Sequence, residues 1–284
     1  MGTCINNIAN KAILKLKNIS IDRNTLKIIA VITMIIDHIG YYFAAYIPSS
    51  IYVILRIIGR ISMPIFCYLL VQGFFYTSNL KKYILRIFIV AIITQVAIFG
   101  VSIYDNNSNN LSVNMQLNIL FSYTLSLITL WIVHEKNIVK KFTYNQNMFL
   151  KIFFIMGIIG IYVFIPFDYE IYVPLLVIML YFIEKLKITI YLEKQNYTMS
   201  MKKIITSFLS DDKIKIGYIL LIAIALLIII VESRNSMYWY MLLAILPISL
   251  YNGERGVKSK KINWIFYGIF PLQHFLLYLL SVIV

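Results

Sequence analysis

Charge is scarce in this chain. Of 284 residues only 13% are charged, and 12 acidic residues stand against 26 Lys and Arg. Cysteine is nearly absent, with Cys4 and Cys67 alone, and histidine occurs 3 times. One cysteine lies in a polar N-terminal tail and the other in an apolar run, which excludes a disulfide framework. Scattered histidines without a cysteine cluster leave no ligand set for a metal. No GxxxxGK[ST], HExxH or GxSxG pattern is present, so P-loop, zinc-protease and serine-hydrolase chemistries lack their motifs. Residues 1–24 are polar and basic, and no small-residue cleavage site follows the first apolar run, so no signal peptide is expected.

What is abundant is apolar length. Hydrophobic residues make up 61% of the chain, more than one soluble core of this size can hide. Uninterrupted apolar runs predict an all-α polytopic membrane protein with about nine spans, over 25–47, 51–76, 82–104, 116–134, 149–167, 171–186, 215–232, 236–251 and 262–283. The organisation is a basic interfacial segment, 1–24, followed by one transmembrane domain, 25–284. Residues 8–19 and 199–209 mix apolar and basic residues in the manner of helices lying on the inner leaflet. The Asn-rich stretch 105–115 reads as an external loop.

A net charge of +14 would ordinarily suggest nucleic acid. Its distribution argues otherwise. The basic residues fall in every second loop, and only Arg234 lies in the opposite set. Lys27, Arg56 and Arg60 lie inside spans or at their edges. This positive-inside pattern places the N-terminus in the cytoplasm and the C-terminus outside. No compact basic domain remains for nucleic acid, so membrane lipid is the expected surround.

A few polar side chains interrupt the spans, where they are costly and usually face a cavity or a reaction path. Lys27, Asp37 and His38 lie in the first span, Arg56 and Arg60 in the second, and His274 in the last. Lys27 and His38 are eleven residues apart, close to three whole helical turns, and so share a face. Arg56 and Arg60 are one turn apart and share another. Asp37 is expected to pair with Arg60 or Arg56. Such a pair can also serve only to bind two helices, and His274 can also serve to satisfy the kink at Pro271. His134, beside Glu135, is expected at the interface. Gln72, Gln95 and Asn118 are candidates for interhelical hydrogen bonds. Asp37 and His38 form the best acid/base candidate in the chain, while Cys67 has no histidine near it in sequence.

The segments LKIIAVITMIIDHIG (26–40), LRIIGRISMPIFCYLLVQGFFYT (55–77), YILRIF (83–88), LNILF (117–121), YNGERG (251–256) and IFYGIFPLQHFLLYL (265–279) resemble, in this order, the TraX family. The resemblance covers the first three and the last two spans, with a weaker middle. It implies an acetyltransferase of the bacterial inner (cytoplasmic) membrane that uses acetyl-CoA, as in the acetylation of a pilin N-terminus. It also implies kinship with integral-membrane acyltransferases, whose first span carries an arginine, ten residues and a histidine. Lys27 stands at the arginine's place and His38 at the histidine's. Arg56 and Arg60 are similar to the paired arginines of their second span.

On this reading acetyl-CoA binds at the basic inner mouth near Lys27, Lys81, Lys82 and Arg86. His38 acts as general base, with Asp37 orienting or balancing it. Arg60 or His274 stabilises the oxyanion. The acceptor is an amine or hydroxyl of a peptide or glycan. A proton-coupled transporter or flippase built on the same intramembrane Asp, His and Arg is the rival reading, and a non-enzymatic scaffold is a third.

Overall fold

The computed structural model describes residues 20–106, 116–194, 212–254, 256 and 260–283. Those residues form helices, with only two isolated β-bridges, Ile21 to Tyr251 and Leu117 to Phe167. The α-helices are α1 (Arg23–Tyr42), α2 (Ser49–Gly59), α3 (Ser62–Tyr76), α4 (Leu80–Asn106), α5 (Ile119–His134), α6 (Tyr144–Phe164), α7 (Tyr172–Lys194), α8 (Asp212–Ser233), α9 (Ile245–Leu250) and α10 (Lys260–Ile283). A 3-10 segment, Ser236–Ala244, runs into α9. The expected helices over 8–19 and 199–209 and most of the 105–115 loop lie outside the described residues.

Among the described residues six helical stretches are long and apolar enough to cross a membrane: Arg23–Tyr42, Ser49–Tyr76, Leu80–Gly100, Tyr144–Phe164, Lys215–Ser233 and Trp264–Ile283. This makes the chain a multi-pass membrane protein. The other three apolar runs differ. Run 116–134 is a helix of only 16 residues. Run 171–186 belongs to a longer helix that continues through Lys187 to Lys194. Run 236–251 is mostly 3-10. Run 51–76 is broken at Arg60 and Ile61 because Pro64 has no N–H to return to the Arg60 carbonyl, and its ring crowds that carbonyl.

Short local bonds fix the helix starts. Asp22 caps α1 by accepting from the Thr25 N–H at 2.7 Å. Asn118 caps α5, Thr143 and Gln146 form a reciprocal cap on α6, and Asn235 caps the 3-10 segment. The centre of the bundle is built from α3 and α5, where Ile65, Cys67, Leu127 and Leu130 are fully buried. Two of the hydroxyls there are satisfied within their own helix: Ser126 donates to the Ser122 carbonyl at 2.7 Å and Thr124 to the Leu120 carbonyl at 2.8 Å. Gln95 and Asn118 join α4 to the start of α5 as interhelical bonds, Asn118 Nδ2 donating to Gln95 Oε1 at 2.9 Å.

Cross-chain ties define two ends. At the basic end Ile21 N–H donates to Leu250, Asn252 to Ile21, and Arg23 to Glu254, each at 2.9 Å. The segment YNGERG is therefore laid on the start of α1. Its Gly256 has φ +69° and lies against Asp22 and Asn24, where no Cβ fits. At the neutral end Gln116 and Leu117 bond to Pro166, Phe167 and Asp168.

One expectation needs correction. Lys187, read as a cytoplasmic-loop lysine, lies inside α7 and is 7% exposed. It pairs with Glu184 at 2.5 Å, one turn away, and Glu184 also accepts from the Tyr218 hydroxyl at 2.6 Å. A buried pair backed by a third group is tolerable in a bundle; hydropathy alone assigns Lys187 to a loop, although Glu184 falls within run 171–186.

Candidate active site

The polar residues of α1 divide by face. Asp37 turns to α2, and both of its oxygens are engaged. Arg56 Nη1 donates to Oδ2 at 2.7 Å and Arg60 Nη2 to Oδ1 at 3.1 Å. Gly59 makes this approach possible, because a Cβ there would overlap the Asp37 side chain. Arg60 is covered in turn by the Tyr169 ring, 5.4 Å from its guanidinium carbon. Tyr169 comes from the neutral-end loop between α6 and α7, where it takes a left-handed φ of 60°. That loop also brings the half-buried Asp168 to the cluster. Burial pushes its carboxyl up to about 6, while Arg60 pulls it down.

His38 is rotated ~100° from Asp37 around the helix and turns to α10. Its ring lies 4.5 Å from that of His274, centroid to centroid. His274 Nδ1 is 2.9 Å from the Tyr42 hydroxyl. Asp37 is engaged by the two arginines, and the groups beside the His38 ring are His274 and Gln273. Lys27 also turns to α10, with its ammonium 5.3 Å from the centre of the Phe266 ring. The shared face predicted for Lys27 and His38 is therefore the α10 face.

A cavity of about 530 Å³ opens among the basic ends of α1, α3, α4 and α10. Arg23, Lys27 and Arg86 give it three cations, and Tyr76, Tyr83 and Tyr267 give it hydroxyls. Its inward wall is aromatic: Phe66, Tyr123 and Phe270, with the Phe66 and Phe270 rings 5.4 Å apart. Phe270 is one helical turn from His274, a rise of ~6 Å. The cavity thus ends just short of the histidine pair. Lys81 and Lys82 do not line it; Lys81 borders a separate apolar groove of about 720 Å³ between α4, α5 and α6.

Sequence reasoning placed Lys27 and Arg86 at this mouth and missed Arg23, which it counted only as a loop charge. It also missed the aromatic wall, for which no signal exists in a chain holding 18 Phe and 22 Tyr. The YNGERG segment carried a signal as a polar hexapeptide between apolar runs, and the structure explains it as the brace of the cavity rim.

The fold and cluster define a multi-pass helical membrane protein with buried charges at one helix interface and a cation-rimmed cavity beside another. The chain belongs to the TraX protein family, whose profile matches residues 22–281. It is 35% identical over 118 residues to a protein of Dichelobacter nodosus named as a probable fimbrial assembly protein FimC, serogroup H1, covering 41% of this chain and 48% of that one. It is 30% identical over 138 residues to the uncharacterized protein RP591 of Rickettsia prowazekii (strain Madrid E), covering 49% of this chain and 47% of that one. The chain therefore spans about half the length of the curated relatives it matches. No solved structure matches it.

Proposed function

We propose that this protein is a membrane-embedded acyltransferase that moves an acetyl group from cytosolic acetyl-CoA to an amine or hydroxyl acceptor. The observation that carries the reading is the cavity at the basic end, rimmed by Arg23, Lys27 and Arg86 and lined inward as far as Phe270, one turn from His274, whose ring packs on that of His38. The concentration of Lys and Arg in the loops at that end argues that the rim faces the cytoplasm, where acetyl-CoA is made. Its cations suit the phosphates of the nucleotide, which is too charged to enter the bilayer. The slim pantetheine arm then runs inward toward the thioester's target.

His38 takes the proton of the acceptor as the acceptor's nitrogen or oxygen attacks the thioester carbonyl. The new C–N or C–O bond forms, the C–S bond breaks, and the proton passes to the departing CoA thiolate. His274, held by Tyr42, fixes the ring it faces; with the hydroxyl donating, His274 carries its proton on Nε2. Asp37, Arg56 and Arg60 hold α1 against α2 and so set the pitch of the His38 face. The acceptor enters from the neutral end, outside a bacterial inner membrane. Membership of TraX and the fimbrial-assembly name of a relative favour a pilus-subunit peptide as acceptor.

Purified protein in detergent or nanodiscs, given labelled acetyl-CoA and a panel of peptide amines, hydroxyls and glycans, should transfer label to one class. It should also gain thermal stability with CoA alone, and Lys27→Ala should reduce that gain. Absence of transfer to every acceptor together with no CoA-dependent stabilisation would sink the reading.

A further inference from the structure

Gln273 stands beside the histidine pair and is only 6% exposed. Neither its amide nitrogen nor its amide oxygen makes a hydrogen bond of full geometry among the described residues, nor does Nδ1 of His38, although the Gln273 amide and the His38 ring lie close enough across α1 and α10 to interact. Three polar atoms without a hydrogen bond of full geometry thus lie together in the bundle interior. Buried polar groups in folded proteins are almost always bonded, and more so where no bulk water reaches. The obvious structural role is absent. Pro271 removes an N–H from α10 and frees a carbonyl one turn back, yet the Gln273 amide does not bond it. Other candidates for charge stabilisation nearby are occupied: Arg56 and Arg60 hold Asp37, and Tyr42 holds His274.

Resting on the acyl-transfer reading above, we infer that Gln273 is a catalytic residue whose side-chain N–H groups bind the thioester carbonyl oxygen and the oxyanion it becomes. A donor placed in a dry site and aimed at developing charge stabilises the transition state more than the ground state. In the absence of donor the amide then rests against the His38 ring without a hydrogen bond of full geometry, which is the condition observed. The same amide, close to the His38 ring, also helps hold that ring in line. Arg60, expected from sequence to serve the oxyanion, is released from that role by its bond to Asp37.

The test separates this role from packing by sign. Gln273→Leu removes an orphaned amide and fills the space with methyl groups, so thermal stability should hold or rise. Transfer should fall by about 10²–10³ in kcat, with KM for acetyl-CoA within a factor of a few. Gln273→Met, close in shape and unbranched, should behave alike. Near-normal kcat in either variant overturns the assignment, and so does loss of fold in both, since an amide with no hydrogen bond of full geometry cannot be holding the bundle. If the wild-type protein transfers to nothing on the acceptor panel, the acyl-transfer reading fails first and this one with it. Wild-type transfer that survives Gln273→Leu unchanged removes only Gln273.

Discussion

Asp37 and His38 are neighbours in sequence and opposites in situation. Asp37 faces α2 with both carboxylate oxygens bonded to guanidinium groups. His38 faces α10 with a ring nitrogen that makes no hydrogen bond of full geometry among the described residues and has the neutral Gln273 amide and the His274 ring beside it. One side of α1 is closed by charge pairing; the other packs on α10, with Lys27 and Val31 lining the cavity and His38 beyond its inner wall. The difference separates two uses of polarity inside a membrane. A satisfied group fixes geometry, and an unsatisfied one is kept for something that binds.

The largest expected effect on the closed side is Asp37→Ala. It strands Arg60, whose side chain is 8% exposed, without its carboxylate. Loss of one partner of a buried pair costs about 3–5 kcal/mol, seen as a lower unfolding midpoint or failure to insert. If Asp37→Ala is as stable as wild type, the clamp is not what holds α1 to α2.

Gly59→Ala probes the same clamp through shape. Its Cβ must displace the Asp37 side chain, so a loss of about 1–3 kcal/mol is expected, with CoA binding unchanged at the far end of the cavity. A stable Gly59→Ala variant would mean the two helices pack less closely than described.

A smaller effect concerns Asp168, which covers the closed side from the neutral-end loop. Its folded pKa, pushed by burial to about 6 from an ordinary 3.8, lies above the unfolded value. The folded state therefore prefers the protonated acid. Stability from this group is full below about pH 4, declines as pH rises to about 6, and is level beyond. Asp168→Asn should flatten that slope in a thermal-stability series. An unaltered slope assigns it to another group.

Much of this comparison was legible in the sequence, and the reasons for the rest are physical. Helical spacing put Lys27 and His38 on one face and Arg56 and Arg60 on another, because the period of a helix is independent of its surroundings. The Asp37 pair followed from the cost of leaving a charge unpaired in hydrocarbon. Which helix each face meets is a tertiary property, so the approach of His274 to His38 was not readable, nor was the isolation of Gln273. Hydropathy misplaced Lys187 because it cannot see Glu184 and Tyr218 neutralising it. The 3-10 start of Ser236–Ala244 escaped because its composition is that of any apolar helix.

The central claim is that the open side of α1 does chemistry while the closed side holds structure. It is tested most directly by His38→Ala, measured for unfolding midpoint and transfer rate on the same preparation. The account predicts a midpoint within a degree or two of wild type and a rate lower by about 10²–10⁴, the usual loss when a general base is removed. A variant that transfers at the wild-type rate, or whose midpoint falls as far as that of Asp37→Ala, would contradict it.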